Sequence, residues 1–202
     1  MLTTIAAALI AYLIGSIPFA VIVSRAMGLP DPRTFGSKNP GATNMLRSGR
    51  KIAAALTLLG DMFKGWFAVY LAQRFAPTAP FEYAVAIAAL AVVLGHMFSW
   101  LLHFEGGKGV ATAFGVLYAL DTRLALVVIV VWLLTAAAFR FSSLASIVAA
   151  VAAAVSALAL HHDGPLFFWS VPVIAALVIW RHRDNIRKLL AGSESRIGGN
   201  QA

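Results

Sequence analysis

The long uncharged stretches of this sequence set the strongest limit on its fold. The first 24 residues contain no Asp, Glu, Lys or Arg, and further apolar stretches follow along the chain. Roughly 20 apolar helical residues are needed to cross a bilayer core about 30 Å thick. Only 12% of the residues are charged and 60% are hydrophobic, whereas soluble domains carry about 25% charged residues. The sequence therefore predicts an integral membrane protein.

We predict an all-α membrane protein, a bundle of seven transmembrane helices that forms a single domain over residues 1–202. No internal repeat or low-complexity linker divides the chain. The first span is not preceded by the basic residues of a cleavable signal peptide, so we expect it to be retained. The predicted spans are 1–24, 52–73, 83–102, 110–120, 124–139, 144–160 and 166–180.

The basic residues predict the orientation of these spans. With the N-terminus outside and the C-terminus in the cytoplasm, thirteen of the sixteen Lys and Arg residues fall in cytoplasmic loops. Two fall outside, and Lys64 lies within a span. This distribution follows the positive-inside rule. The net charge of +8 is therefore interpreted as a cytoplasmic face, and no nucleic-acid partner is expected.

The first predicted cytoplasmic loop has the composition of an anion site. Within a dozen residues it carries two glycines, several hydroxyl and amide side chains and two cations. Glycines permit close backbone approach, so successive amide N–H groups could converge on an anion while hydroxyls and Arg47 complete the cage. A helix starting near Ala42 could point its N-terminus at the anion. A plain connector between two spans is the alternative interpretation.

Residues 95–109 form a second polar cluster. The run Gly106-Gly107-Lys108-Gly109 resembles a phosphate-cradling turn in which the lysine reaches the anion. It is not a Walker A loop, because Leu102 and Gly109 stand where that motif needs Gly and Ser or Thr. His96 is either catalytic or a hydrogen-bonded structural residue.

The third cluster combines residues 140–146 with residues 181–188, and Glu194 lies beyond it. If the last span continues as helix past Trp180, His182 and Asn185 share a face, since residues three apart are neighbours on a helix. The alternative is that the basic residues here only anchor anionic lipid headgroups.

Asp61 and Lys64 lie at i and i+3 inside the second predicted span, where a lone charge is costly. We expect them to pair with each other, in either a functional or a purely structural role. No cysteine is present and no carboxylates cluster, so we expect no metal and no cofactor.

Together, residues 36–44 (GSKNPGATN), 95–96 (GH), 104–112 (FEGGKGVAT) and 181–186 (RHRDNI) resemble the motifs of the bacterial acyl-phosphate:glycerol-3-phosphate acyltransferase family. The resemblance implies transfer of a fatty acyl group from acyl phosphate to the sn-1 hydroxyl of glycerol 3-phosphate. The products would be lysophosphatidic acid and inorganic phosphate, in the first step of phospholipid synthesis. It also implies a location in the bacterial cytoplasmic (inner) membrane, with the active site at the cytoplasmic face.

The resemblance further implies a set of site residues. Lys108, Arg47, Thr43 and His182 would take part in the reaction. Lys38 stands where the family pattern usually has glycine. The substrate-binding residues would be Ser37, Asn39, Gly41, Thr43, Arg47, Lys108, His182 and Asn185, together with Ser143 or Ser146.

The chemistry of an acyl phosphate is compatible with these residues. Its leaving group is already good, so orientation and charge neutralisation matter more than a covalent nucleophile. None of the five histidines is followed five residues later by Asp, the spacing common in acyltransferases that use thioesters. The substrate's own phosphate is the expected proton acceptor, with His182 as the alternative base. An organic-phosphate transporter and a lipid-binding scaffold are the competing functions, and the sequence carries no signal for the oligomeric state.

Overall fold

The computed structural model describes residues 2–75, 81–160 and 169–198. Over these ranges the regular structure is helical, with no strand. The chain divides into two compact units, Met1–Leu120 and Asp121–Ala202. A short 3-10 helix covers Trp100–Leu102. The α-helices are α1 (Leu2–Ser16), α2 (Phe19–Ala26), α3 (Ala42–Arg47), α4 (Lys51–Phe75), α5 (Phe81–Met97), α6 (Val110–Leu120), α7 (Thr122–Phe139), α8 (Ser142–Leu160), α9 (Val171–Arg181) and α10 (Arg183–Leu190).

Five helical stretches in the described part of the chain are long and apolar enough to cross a membrane. Val110–Leu120 and Val171–Arg181 are shorter apolar helices at two further predicted spans, and residues 166–168 of the last span lie outside the described residues. The all-helical prediction is confirmed, whereas the count of seven spans, their orientation and the single domain stay predictions. By length and composition, the five stretches of spanning length are Leu2–Ala26, Lys51–Phe75, Tyr83–Leu102, Thr122–Phe139 and Ser142–Leu160.

The first predicted span is broken in the middle. α1 ends at Ser16 and α2 starts at Phe19, because Pro18 has no N–H to continue the helix. The break leaves backbone carbonyl groups that accept hydrogen bonds from side chains of other elements. Ser99 Oγ donates to the Ser16 carbonyl at 2.6 Å, and Lys64 Nζ donates to the Ile17 carbonyl at 2.7 Å.

Glycines bring the helices of the first unit into close contact. α1 packs mainly against α5, and α4 mainly against α6. A Cβ added at Gly15 of α1 would collide with the backbone of Val92 on α5. On α4, a Cβ at Gly65 would likewise collide with the backbone of Thr112 on α6. Small residues of this kind let membrane helices approach closely.

The second unit contains α7 to α10 and the segment that follows them. α8 buries a face of alanines at four-residue spacing: Ala145, Ala149, Ala153 and Ala157. After α10 the chain returns to the corner between α7 and α8, where the amide of Ile197 donates to the carbonyl of Arg140 at 2.6 Å. This return places Glu194 against the start of α8.

The last predicted span does not continue unbroken past Trp180. α9 ends at Arg181 and α10 starts at Arg183, with His182 in the break at φ −94° and ψ 7°. The condition under which His182 and Asn185 would share a face, one helix continuous past Trp180, is therefore not met at His182.

Candidate active site

Asn44 holds the first loop together from inside. Its side chain is 1% exposed. Its Oδ1 accepts hydrogen bonds from the amide and the hydroxyl of Ser37, at 2.9 and 3.2 Å, and its Nδ2 donates to the carbonyl of Pro32 at 2.7 Å. A Cβ at Gly36 would collide with Asn44 Oδ1, so only glycine fits there. The sequence motif contains Asn44 but carries no signal for this role.

Two residues of this loop have left-handed backbone conformations. Gly36 and Lys38 both have φ of +56°. The left-handed region costs a residue with a Cβ about 1–2 kcal/mol. Glycine, which the resemblance implies at position 38, would adopt this conformation without strain. In this chain Lys38 adopts the same left-handed conformation.

Three amides of the first loop are not available for the predicted anion cradle. The amide of Ser37 donates to Asn44, that of Lys38 donates to the carbonyl of Phe35 at 2.9 Å, and that of Gly41 donates to the carbonyl of Asn39 at 2.9 Å. These bonds shape the loop itself. The expectation that these amides converge on an anion is therefore wrong, and side chains are the better candidates for anion ligands.

The candidate side chains of this loop lie at or near the surface. Ser37 and Thr43 are exposed, whereas Asn39 is half-buried. α3 begins directly after Gly41, as predicted, and Arg47 is its half-buried last residue.

One cation of the loop is already committed to a carboxylate. Arg33 contacts Asp31 at 2.7 Å, and the Arg33 guanidinium lowers the pKa of the Asp31 carboxyl below its usual value. Lys38 and Arg47 are the loop's other cations.

The glycines of the second loop pack it back onto the end of α5. The amides of Gly106 and Gly107 donate to the carbonyls of Met97 and His96, both at 3.1 Å. A Cβ at either glycine would collide with His96. These two amides hold the loop to α5, and the predicted approach of the Lys108 ammonium to a phosphate stays a prediction. Lys108 follows directly and is half-buried.

A buried polar cluster lies beneath this loop, within the first unit. Lys64 Nζ is 2.8 Å from Asp61 Oδ1, which confirms the predicted pairing. His96 Nδ1 lies 3.5 Å from the same oxygen. The cluster borders a small cavity that is also lined by Pro40 of the first loop and Gly107 of the second.

In the second unit, Glu194 joins two of the predicted site residues. Its Oε1 accepts hydrogen bonds from Ser143 Oγ at 2.7 Å and from Asn185 Nδ2 at 2.8 Å. Ser146 instead donates to the carbonyl of Ser142 at 2.8 Å and accepts from Trp132 Nε1 at 3.1 Å. Of the two serines, Ser143 is therefore the one grouped with Asn185.

His182 is 3% exposed, and its Nδ1 is 2.7 Å from the carbonyl oxygen of Val178. A carbonyl oxygen can only accept, so Nδ1 carries a proton, and when the ring is neutral Nε2 is its basic nitrogen. The helix break at His182 thus fixes both the orientation and the tautomer of the imidazole.

The predicted site residues fall into two sets. The first unit holds the two loops with Arg47 and Lys108, and the second holds Ser143, His182 and Asn185. Glu194, which bonds to two of these, was missed because it follows α10 with no motif or helical spacing that marks it. These features define a helical membrane protein whose exposed loops carry hydroxyl, amide and cationic side chains suited to a phosphate.

Comparison with known proteins identifies the family. A family model described as glycerol-3-phosphate acyltransferase matches residues 5–192, and the chain belongs to this family. It is 57% identical over 200 residues to a glycerol-3-phosphate acyltransferase of Burkholderia pseudomallei (strain 1710b), covering 98% of this chain and 95% of the relative. It is 55% identical over 197 residues to that of Bordetella petrii, covering 95% and 92%.

Two solved structures are similar over nearly the whole chain. Both are crystal structures of PlsY (YgiH), described as an integral membrane glycerol 3-phosphate acyltransferase. The glycerol 3-phosphate form is 38% identical, covers 96% of each chain and gives a TM-score of 0.88. The lysophosphatidic acid form is 36% identical, covers 96% of this chain and 94% of that one, and gives a TM-score of 0.86.

Proposed function

We propose that this protein is a membrane glycerol-3-phosphate acyltransferase that uses acyl phosphate as its donor. It acylates the sn-1 hydroxyl of glycerol 3-phosphate and releases lysophosphatidic acid and inorganic phosphate, the first step of phospholipid synthesis. The observation that carries the proposal is the likeness over 96% of the chain to PlsY in its glycerol 3-phosphate form. The lysophosphatidic acid form supports the same substrate and product pair.

The residues proposed for the reaction and for substrate binding are those of the sequence motifs. Ser143 is preferred to Ser146 because it shares the Glu194 acceptor with Asn185, another proposed residue, whereas Ser146 bonds to the Ser142 carbonyl and to Trp132. Thr43, Arg47, Lys108 and His182 are proposed to act in the reaction. The proposed substrate-binding residues are Ser37, Asn39, Thr43, Arg47, Lys108, Ser143, His182 and Asn185, together with Gly41, which is proposed for close backbone approach because its amide donates to the Asn39 carbonyl.

In the proposed reaction, the glycerol hydroxyl oxygen attacks the acyl carbonyl carbon and the bond from that carbon to the phosphate oxygen breaks. The hydroxyl proton passes to the departing phosphate. Arg47 and Lys108 stabilise the developing negative charge, which is the kind of contribution that fixed cations make in a low-dielectric site. His182 is the alternative proton acceptor, through Nε2.

The membrane arrangement is part of the proposal. Seven spans, with the N-terminus outside and the C-terminus in the cytoplasm of a bacterial inner membrane, would put both loops on the cytoplasmic face. The broad exposure of large apolar side chains on the long helices supports lipid contact, as on α7, where Leu126, Val130, Leu133 and Leu134 are about half exposed or more. An acyl phosphate could then enter from the lipid, while glycerol 3-phosphate arrives from water.

An assay of the purified protein in detergent tests this function. Palmitoyl phosphate and glycerol 3-phosphate are supplied, and phosphate release and lysophosphatidic acid are followed together, with palmitoyl-CoA as the control donor. We expect product from the acyl phosphate alone. Product from the CoA donor alone would overturn the donor, and no product from either in folded protein would favour the transporter.

The transporter is the weaker candidate on structural grounds. It needs ionisable groups inside the membrane that line a path. Lys64 instead contacts Asp61 and donates to the Ile17 carbonyl, so the buried charges are engaged with each other and with the backbone.

A further inference from the structure

His96 connects the buried cluster to the loop that carries Lys108. Its carbonyl accepts the Gly107 amide at 3.1 Å, and the carbonyl of its neighbour Met97 accepts the Gly106 amide. The ring itself lies against the Gly107 Cα, where a Cβ would collide with Nε2. The residue that precedes Lys108 is thus held by both the backbone and the ring of His96.

The other side of the His96 ring faces the charged pair. His96 Nδ1 is 3.5 Å from Asp61 Oδ1, and the same oxygen is 2.8 Å from Lys64 Nζ. Lys64 in turn donates to the Ile17 carbonyl at the break between α1 and α2. His96, Asp61 and Lys64 are 7%, 2% and 2% exposed, so the whole series of contacts is shielded from water.

A buried ion pair carries a desolvation penalty that apolar packing would avoid. Close packing in this unit is already provided by glycines such as Gly15 and Gly65, so the helices do not need the charges in order to approach. The Asp61–Lys64 pair therefore has a use other than helix packing, and the group that lies beside it is the His96 ring.

We propose that His96 is a positioning residue for Lys108, and that Asp61, fixed by Lys64, holds the His96 ring against Gly107. The proposal rests on the proposed function in one respect, since it takes Lys108 as a residue of the reaction. It predicts that loss of the His96 side chain loosens the loop that carries Lys108 while the rest of the first unit stays folded.

Hydrogen exchange of the purified protein tests the loop directly. In His96→Leu, which replaces the ring by an apolar side chain, we expect faster exchange of the amides in residues 104–110 and little change in residues 122–139. Thr57→Val is the matched control, because Thr57 is fully buried on α4 one turn before Asp61 and its hydroxyl has no hydrogen-bond partner. Unchanged exchange over 104–110 in His96→Leu would overturn the proposal.

Turnover distinguishes positioning from a general packing role. We expect His96→Leu to lower kcat by up to about 100-fold, the loss that a misplacement of about 1 Å can cause. His96→Asn, which places a side-chain amide where Nδ1 faces Asp61, should recover part of that loss and of the exchange protection. An Asn variant no better than the Leu variant in both measurements would remove Asp61 from the proposal.

The two proposals fail in different ways. A wild-type protein that makes no product would overturn the proposed function, whereas the exchange pattern would still decide whether His96 holds the loop. Loss of protection spread evenly over residues 2–75 and 81–120 in both His96 variants would show a packing role and overturn the positioning role.

Discussion

Asp61 and Glu194 are both buried carboxylates, but they are compensated in different ways. Asp61 lies within the long apolar helix α4 and is met by Lys64 and His96. Glu194 follows α10, and its Oε1 accepts from the neutral donors Ser143 and Asn185. In the first unit a carboxylate is balanced by charge, whereas in the second, within the part of the chain that the structure describes, the carboxylate is held by hydrogen bonds from neutral side chains.

The difference shows what each set of residues can offer a substrate. Lys64 is committed to Asp61 and the Ile17 carbonyl, so its charge serves the fold. Ser143 and Asn185 are also engaged, but with a side-chain carboxylate whose place as acceptor a phosphate oxygen could take. The Asp61 cluster should therefore govern stability and loop position, and the Ser143–Asn185 pair is the better candidate for direct substrate contact.

Removing one charge of the Asp61 cluster should have the largest effect. Asp61→Ala leaves Lys64 buried without its counter-charge, which should lower the free energy of unfolding by about 3–5 kcal/mol. Thermal unfolding in detergent, followed by tryptophan fluorescence, measures the loss. The matched control is the double variant Asp61→Leu with Lys64→Met, which removes both charges and should recover most of the stability. Equal melting temperatures for the two variants would contradict a charge-balanced cluster.

The proposed reaction cations should affect turnover rather than stability. Arg47→Ala or Lys108→Ala should lower turnover by about 100- to 1,000-fold, which is the range for loss of one preorganised group that stabilises developing charge. The melting temperature should change little. Arg123→Ala is the control, since Arg123 is an exposed cation paired with Asp121 and has no proposed part in the reaction. Near wild-type turnover in either variant would remove that residue from the proposed site.

Variants of Glu194 test whether Ser143 and Asn185 require a negatively charged partner or only a hydrogen-bond acceptor. Glu194→Gln keeps a carbonyl oxygen for Ser143 and Asn185, so it should be close to wild type in stability. Glu194→Ala leaves both donors without this acceptor and should lower the free energy of unfolding by about 1–3 kcal/mol. Urea or thermal unfolding checks the difference. If the Gln variant is as unstable as the Ala variant, the negative charge itself is required and the comparison with Asp61 fails.

Much of this architecture could be predicted because its physical signals are local. The apolar stretches predict membrane helices, and the i, i+3 spacing of Asp61 and Lys64 predicts their contact. The break at Pro18 carries an equally local signal, the missing N–H of proline.

The remaining features depend on tertiary contacts. Nothing in the spacing of the sequence brings Glu194 to Ser143, which lies 51 residues away along the chain. The sequence predicts a turn in which Lys108 reaches an anion, but only the tertiary structure shows that the amides of Gly106 and Gly107 bond to the end of α5. Glycine in a loop is required wherever another group approaches closely, and that group can be the protein's own helix end as readily as a phosphate.

The smallest predicted effect concerns Lys38, which lies outside both carboxylate clusters. Its φ of +56° is strained for a residue with a Cβ, while glycine relieves that strain but has more freedom to lose on folding. Lys38→Gly should therefore raise the free energy of unfolding by no more than about 1 kcal/mol, with turnover kept, since Lys38 is not among the proposed site residues. Lys38→Ala removes the same cation but keeps the strain, so it should not be stabilised. Thermal unfolding and the acyltransfer assay measure both variants, and equal loss of turnover in the two would show that the Lys38 charge belongs with Arg47 in the site.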